Sequence, residues 1–185
     1  SADAATTTLF SLTALQTAIN NASPGDTLLL ADGTYTNGSL SIGTDNITVS
    51  AVTPGGVLLN GPQTVVITAD HVTFSGFQFT SGDIGTGILI DVGGNYNRLT
   101  QLNINSYLAQ KYIRLQSDTV SNEIAYCNIE NKPTNAVINT TIQITTSPTV
   151  PGYHKIRYCS FKNFPGLGGD YGNEPIRIGL STEAT

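Results

Sequence analysis

The sequence has little charge and lacks two residue types. Only 11% of its residues are charged, and Met and Trp are absent. No apolar run approaches the about 20 residues that a membrane-spanning helix needs, and no basic run suits a nucleic-acid-binding surface. We therefore expect neither a membrane nor a nucleic acid as a partner. Thr, Ser, Asn and Gly are abundant instead, which is typical of β-rich domains.

Cysteine is scarce as well. Cys127 and Cys159 fit neither the spacing of a metal site nor the dense disulfide framework of a small secreted scaffold. We predict that both are small core residues. The chain opens with Ser1 rather than Met, and its small first residues suit a protein from which an export signal has been removed. The expected location is therefore secreted or periplasmic.

Basic residues are absent from the first 97 positions, which contain seven Asp. All eight basic residues follow: Arg98, Lys111, Arg114, Lys132, Lys155, Arg157, Lys162 and Arg177. A protein of net charge -5 that gathers its cations into one half can bind an anion there. A chance excess on a solvated face is the alternative, and both interpretations stay open.

A repeat is the main structural signal. The pattern apolar-x-x-apolar-x-apolar begins at residues 74, 99, 124 and 156, and an incomplete copy begins at residue 49. A second set of alternating apolar pairs runs between the copies: Val65 and Ile67, Ile88 and Ile90, Ile113 and Leu115, Ile142 and Ile144, Ile176 and Ile178. Short strands repeated at this spacing predict an all-β fold, a right-handed parallel β-helix. A β-sandwich would not keep apolar residues in register over four copies.

The two ends of the predicted solenoid differ. Ser11 is a suitable N-cap for a short amphipathic helix that would cover the N-terminal end. We place this cap at about residues 11–22 and the coils at about 25–185, in one domain. Nothing comparable follows the last strand, Ile176–Ile178, so an apolar end would be exposed. We expect this chain to be the N-terminal portion of the domain, with its C-terminal coils missing.

Outward-facing residues of the second set give a candidate binding row. Between the inward residues lie Val66, Leu89, Arg114, Gln143 and Arg177. Neighbouring parallel strands are about 4.8 Å apart, so the last three form a polar row roughly 10 Å long. Such a row suits a sugar chain with carboxylate or sulfate groups, although solvated cations on a strand face are the alternative. We also include Lys111 in the predicted substrate-binding set.

His154 and three tyrosines each have two interpretations. His154, one coil away from Asn122, would either contact substrate or fill a turn. Three tyrosines near strand ends would either stack on sugar rings or pack against the protein: Tyr126, Tyr158 and Tyr171. Both interpretations stay open for each residue.

Asn103 and Asn128 lie in corresponding positions of two copies. We predict that their side chains form an amide ladder, which would stabilise the fold without taking part in catalysis. No Ser-His-Asp set, phosphate loop or Cys/His metal cluster is present in the sequence. The residues by themselves therefore indicate a solenoid that binds a glycan.

Several motifs resemble a known family. The segments Ser23-Pro24-Gly25-Asp26-Thr27-Leu28 and Asp32-Gly33-Thr34-Tyr35 resemble the cap and first coil of pectin-lyase-like β-helices. Residues 153–161 (YHKIRYCSF) and 173–179 (NEPIRIG) resemble polysaccharide lyase family 6, which contains alginate lyases and chondroitinase B. This resemblance runs from about Leu12 to Ser181. It covers only the first half of the family's catalytic domain.

The resemblance implies a calcium-dependent lyase that cleaves uronic-acid polymers by β-elimination, with alginate preferred over dermatan sulfate. Arg177 matches an arginine that contacts substrate in the family. The family's calcium ligands and catalytic Lys and Arg follow this segment, so we expect no catalytic or metal-binding residue in this chain. The chain alone would be inactive until a C-terminal fragment of the same precursor completes the β-helix. A non-catalytic acidic-glycan-binding or adhesion module, or a purely structural solenoid, remains the alternative.

Overall fold

The computed structural model describes residues 3–133, 140–165 and 174–179. Helix α1 spans Leu12–Asn21. The strands of the first half are β1 (Thr6–Leu9), β2 (Thr27–Leu30), β3 (Gly33–Ile42), β4 (Thr48–Ala51), β5 (Val57–Ile67), β6 (Thr73–Ser75), β7 (Phe77–Thr80) and β8 (Ile88–Val92). Those of the second half are β9 (Arg98–Thr100), β10 (Asn103–Asn105), β11 (Lys111–Leu115), β12 (Glu123–Ala125), β13 (Asn128–Glu130), β14 (Thr140–Thr145), β15 (Lys155–Arg157), β16 (Ser160–Lys162) and β17 (Glu174–Gly179).

From β6 onward, each coil contributes one parallel strand to each of three faces. Face A is the sheet β1-β2-β4-β6-β9-β12-β15. The other sheet divides at the long strand β5, because residues 57–59 pair with β7 and residues 65–67 pair with β8. Its two arms are face B (β7, β10, β13, β16) and face C (β8, β11, β14, β17). The predicted parallel β-helix is thereby confirmed.

Apolar side chains stack in columns inside the coils. The predicted lead residues of the repeat are confirmed as in-register neighbours: Val49, Phe74, Leu99, Ile124 and Ile156. Phe74 and Phe77 lie face to face, with ring centroids 4.4 Å apart. Because each coil buries its apolar residues only against the coils next to it, these columns hold the solenoid together.

The predicted register of the second set is wrong in one coil. Ile90 pairs with Ile113, and Val92 pairs with Leu115, so the inward pair on β8 is Ile90 and Val92. Leu89, which we expected in the outward row, is buried. Asp91 takes that place instead, between Val66 and Arg114. The segment Ile88–Val92 alternates in either register, and only the pairing with β11 decides between them.

Helix α1 covers the N-terminal end as expected. The side chain of Ser11 accepts a hydrogen bond from the backbone N–H of Ala14 at 3.0 Å. Leu15 and Ile19 are fully buried. Gln16 holds the helix to β3, because its side chain donates to the carbonyl of Ser41 and accepts from the N–H of the same residue. The cap is therefore fixed by packing on one side and by paired hydrogen bonds on the other.

A side-chain ladder runs along the corner between faces C and A. Oδ1 of Asn122 accepts from the N–H of Asn97 at 2.8 Å, and Nδ1 of His154 accepts from the N–H of Asn122 at 3.2 Å. Both asparagines are 1% exposed. The ladder predicted at Asn103 and Asn128 is wrong: these residues are in register, but Oδ1 of Asn103 has no hydrogen-bond partner among the described residues.

Both cysteines are free thiols in neighbouring coils. Cys127 is buried, as predicted for a small core residue, whereas Cys159 in the last coil is only partly buried. The neighbouring thiol of Cys159 and burial raise the pKa of Cys127, whereas the neighbouring Cys127 lowers the pKa of Cys159. These thiols therefore belong to the core column rather than to a surface site.

Candidate functional site

The outward row of face C is the candidate site predicted from the sequence. Asp91, Arg114, Gln143 and Arg177 occupy consecutive positions across β8, β11, β14 and β17. The structure therefore brings three of the predicted residues together in the predicted order. It adds Asp91, which the sequence analysis did not place there.

Arg114 is bound to Asp91 in the preceding coil. Its Nε lies 2.8 Å from Oδ1 of Asp91, and its Nη2 lies 2.6 Å from Oδ2, a two-point contact of the kind that guanidinium and carboxylate groups favour. The side chain of Gln116 donates to the same carboxylate at 3.0 Å. A cavity of about 160 Å³ beside this cluster is lined by Arg114, Gln116, Ser117 and Thr145. Arg114 therefore forms part of the wall of this cavity and neutralises the charge of Asp91.

Gln143 and Lys111 are covered by the protein. Gln143 is 2% exposed, and its side-chain amide donates to the carbonyl of Ile144 at 3.2 Å. Lys111 is 6% exposed, and its Nζ lies 3.3 Å from Oε1 of Gln110. Neither position is open enough in this conformation for direct contact with a polymer.

Arg177 lies on the last described strand. Its side chain is 31% exposed, and its Nε lies 3.9 Å from Oε2 of Glu174. This distance is at the limit of an ion pair, and the contact is much looser than the one between Arg114 and Asp91. Of the predicted residues on face C, Arg177 is the one whose charge is best placed for a ligand.

His154 lies at the corner where face C meets face A. It lines a cavity of about 340 Å³ together with Thr145, Ser147 and Ile178. Its Nδ1 accepts from the backbone of Asn122, and burial lowers the pKa of the ring. His154 thus continues the asparagine ladder and also borders the cavity, so a contact with substrate stays a prediction.

Lys132 is a buried cation that the sequence analysis did not single out. It is 0% exposed, its Nζ donates to the carbonyl of Ala109 at 2.8 Å, and it lies 5.2 Å from the ring centroid of Tyr112. Burial lowers its pKa to about 8, and the positive charge of Lys111 acts in the same direction. Its sequence context, between Asn131 and Pro133, does not distinguish it from an exposed lysine.

The exposed tyrosines lie on both sides of face A. Tyr126 and Tyr158 stack with ring centroids 5.0 Å apart and are 53% and 70% exposed. The guanidinium of Arg157 lies 5.9 Å from the ring centroid of Tyr158. Tyr171 lies outside the described residues. Tyr126 and Tyr158 thus pack on each other but remain largely exposed, so stacking on a sugar ring stays a prediction for both.

Two further observations limit the chemistry of the described residues. In residues 3–133, 140–165 and 174–179, no group of three His, Cys, Asp or Glu side chains is arranged to hold a metal ion. Within the same ranges, no helix has the length and apolar character that a membrane crossing requires. Among the described residues, the one cation of the face C row that is not held at two points by a carboxylate is Arg177.

The three strand faces and their stacked apolar columns define the class of the fold, a parallel β-helix. The chondroitinase B family model matches residues 9–185. The chain belongs to this family, which confirms the resemblance to polysaccharide lyase family 6. No curated protein sequence gives a match.

Solved structures share the fold. A family 6 polysaccharide lyase from Pseudopedobacter saltans is 21% identical, with a TM-score of 0.80 over 93% of this chain and 41% of its own. A mannuronic-acid-specific family 6 lyase from human gut microbiota is 21% identical, with a TM-score of 0.79 over 95% of this chain and 44% of its own. The family 6 alginate lyase AlyGC is 22% identical, with a TM-score of 0.76 over 95% of this chain and 26% of its own. This chain thus spans less than half the length of each.

Proposed function

We propose that the chain is the N-terminal part of a calcium-dependent alginate lyase that cleaves glycosidic bonds by β-elimination. The proposal rests on the family match over residues 9–185, together with the position of Arg177 in the outward row of face C. One of the similar structures is named an alginate lyase, and another is named a mannuronic-acid-specific lyase. An acidic polysaccharide is the expected substrate, and a secreted or periplasmic location would bring the protein to it.

β-Elimination removes the proton from the carbon next to a uronate carboxylate and expels the glycosidic oxygen. In this proposal, face C binds the substrate and the reacting groups lie elsewhere. The partly exposed guanidinium of Arg177 presents several donors to a substrate carboxylate or hydroxyl. Arg114 and Asp91 hold each other rigidly in the coils before it, and Gln143 is fixed by backbone contacts. Arg177 would hold the polymer, and the Arg114–Asp91 pair would line the strand row beside it.

The described residues do not fit a calcium site, because they lack a cluster of metal-ligating side chains. We therefore assign the calcium ligands and the proton-transferring residues to coils that follow this chain in the complete solenoid. Ile176 and Ile178 support this assignment. They continue the inward column of Ile142 and Ile144, yet they are 41% and 68% exposed. A further coil, from a C-terminal fragment of the same precursor, would cover them.

Arg177→Ala in the protein carrying its C-terminal coils tests the proposal. Loss of a charged hydrogen bond to substrate is expected to lower kcat/KM on alginate about 10- to 100-fold, corresponding to roughly 1.5–3 kcal/mol. Lys162→Ala is the matched control, because Lys162 is an exposed cation on face B. Unchanged kcat/KM for Arg177→Ala would contradict the proposal. Arg177-dependent binding of alginate without cleavage would identify a non-catalytic glycan-binding module instead.

A further inference from the structure

One corner residue of each coil stacks along the edge between faces C and A. Asn46, His71, Tyr96, Ser121 and Tyr153 all have left-handed backbone geometry, with φ between 51° and 59°. The backbone N–H of each of the first four donates to a carbonyl in the next coil, at 2.6–3.0 Å. Successive corner residues are therefore one coil apart, about 4.8 Å along the axis.

The side chains in this column leave a gap. His71 and Tyr96 stack, with ring centroids 4.8 Å apart and planes within 6°. The next coil has only the small side chain of Ser121, and the coil after it has Tyr153. Tyr96 and Tyr153 are 52% and 72% exposed. Two coil spacings, about 10 Å, separate the two tyrosine positions, and only the small side chain of Ser121 lies at the level between them. We call this level the slot.

The backbone gives no structural reason for tyrosine at these positions. Left-handed geometry favours Gly, Asn, Asp and His over bulky residues. The corner between faces B and C follows this preference for small or amide side chains: Ser81, Ser106, Asn131 and Asn163. Tyr96 gains a stacking partner in His71, whereas the neighbour of Tyr153 in the preceding coil is Ser121. Unfavourable backbone geometry that persists without a packing gain is a feature of functional positions.

Charged side chains of face A border the slot. Arg98, Glu123 and Lys155 follow the three corner residues by two positions and are neighbours in register. Glu123 accepts from Arg157 at 2.8 and 2.9 Å, which offsets its negative charge, and Nε of Arg98 lies 3.8 Å from it. Arg98 is 44% exposed, and Lys155 is exposed without an ion-pair partner among the described residues. The border of the slot therefore has a net positive charge.

We infer that Tyr96, Ser121 and Tyr153 form a second polysaccharide-binding site, separate from face C, which takes one sugar ring of an acidic polymer between the two tyrosines. The C–H face of a sugar ring packs on a tyrosine ring, and the tyrosine hydroxyl remains available for hydrogen bonds. Arg98 and Lys155 bind carboxylates on the neighbouring sugar units. The identity of the polymer as a uronate chain rests on the proposed function. The site itself rests on the tyrosine gap and the charges around it.

Ser121→Tyr tests the inference because it fills the slot and continues the ring stack. Tyrosine is already accepted at two positions of this column, so the fold should be retained, as measured by circular dichroism and the unfolding midpoint. The matched control is Ser106→Tyr, which makes the same change at φ 52° on the other corner. Calorimetric titration with alginate-derived oligouronates, in an Arg177→Ala background, should show at least about tenfold weaker binding for Ser121→Tyr and no change for Ser106→Tyr.

Ring-labelled tyrosine NMR locates the contact directly. The signals of Tyr96 and Tyr153 should shift on addition of oligouronates, while those of the core residues Tyr107 and Tyr112 should not. If Ser121→Tyr binds oligouronates with unchanged affinity and the signals of Tyr96 and Tyr153 in the wild type do not shift, the inference is overturned, even if Arg177-dependent cleavage is found. Loss of binding in Ser121→Tyr without any cleavage by the complete protein would overturn only the proposed function. A dimer that Ser121→Tyr dissociates, with polymer affinity unchanged, would assign face A to a second copy of the chain and overturn the inference.

Discussion

Faces C and A each have a row of polar side chains across three successive coils, with cations on the outer two, but the contacts of the two rows differ. On face C, Arg114 is held by Asp91 at two points and Gln143 is 2% exposed. On face A, Arg98 and Lys155 are exposed, and tyrosines border the strands on both sides. The row on face C is fixed where Arg114 and Asp91 bind each other, whereas the row on face A keeps two exposed cations, Arg98 and Lys155, that are open to a ligand. The sequence contains both rows, and only the contacts distinguish them.

The largest expected effect concerns the core that both faces share. Phe77 is fully buried and stacks on Phe74. Phe77→Ala should lower the free energy of unfolding by about 3–5 kcal/mol, because it removes a large side chain and leaves a cavity. Phe10→Ala is the matched control, since Phe10 is 77% exposed and its truncation should change stability by less than about 0.5 kcal/mol. Similar losses for both variants in chemical denaturation would contradict the described core.

The ladder at the corner joining the two faces comes next. Asn122→Ala removes the acceptor for the N–H of Asn97 and the donor to the carbonyl of Gly94, both of which are buried. Buried polar groups without partners should cost about 1–3 kcal/mol. Asn103→Ala should cost clearly less, because the amide of Asn103 already has an oxygen without a partner. The reverse order of unfolding midpoints would restore the ladder first predicted at Asn103 and Asn128.

These ladders show where prediction from sequence succeeds and where it stops. The lead column was predictable because burial requires apolar residues at every copy, and Phe74, Leu99 and Ile124 meet that requirement 25 residues apart. The asparagine pairs at 97/122 and at 103/128 have the same spacing, so the sequence cannot tell which pair lies at a corner. The position of a corner depends on left-handed backbone geometry, which Asn, His, Tyr and Ser all adopt in this chain, so residue type does not identify it.

The candidate site divides in the same way. The row of Arg114, Gln143 and Arg177 was predictable from the alternation of each strand. Asp91 was not, because the segment Ile88–Val92 alternates in two registers. The burial of Lys111 and Gln143 depends on segments far away in the sequence, and the tyrosine gap around Ser121 depends on corner residues that follow no apolar pattern.

A double-mutant cycle would sharpen the contrast between the faces. For Asp91→Ala and Arg114→Ala, we expect a coupling free energy of about 1 kcal/mol, since the contact is bidentate and partly exposed. The pair Arg98 and Glu123 on face A is the control, with a separation of 3.8 Å and a more exposed arginine. Its coupling should be a few tenths of a kcal/mol. Equal coupling free energies for the two pairs would remove the distinction between the fixed row on face C and the open row on face A.

The smallest effect is a pH dependence at His154. Burial lowers the pKa of His154, so in mildly acidic solution the unfolded chain binds a proton that the folded chain does not. Stability should therefore fall as the pH is lowered through the ordinary histidine range, from about pH 7 to about pH 5. His154→Asn would continue the ladder with an amide and flatten this dependence. Unfolding midpoints of both proteins that decrease in parallel over that range would contradict the assignment.

The most direct test of the central claim is cleavage of alginate by this chain with and without the coils proposed to complete it. The readout is the ultraviolet absorbance of the unsaturated uronate that β-elimination produces. The account predicts no product from the purified chain alone, and product in the presence of calcium once the C-terminal coils are joined to it or added as a second polypeptide. Product formed by the chain alone, or none from the completed solenoid, would contradict it.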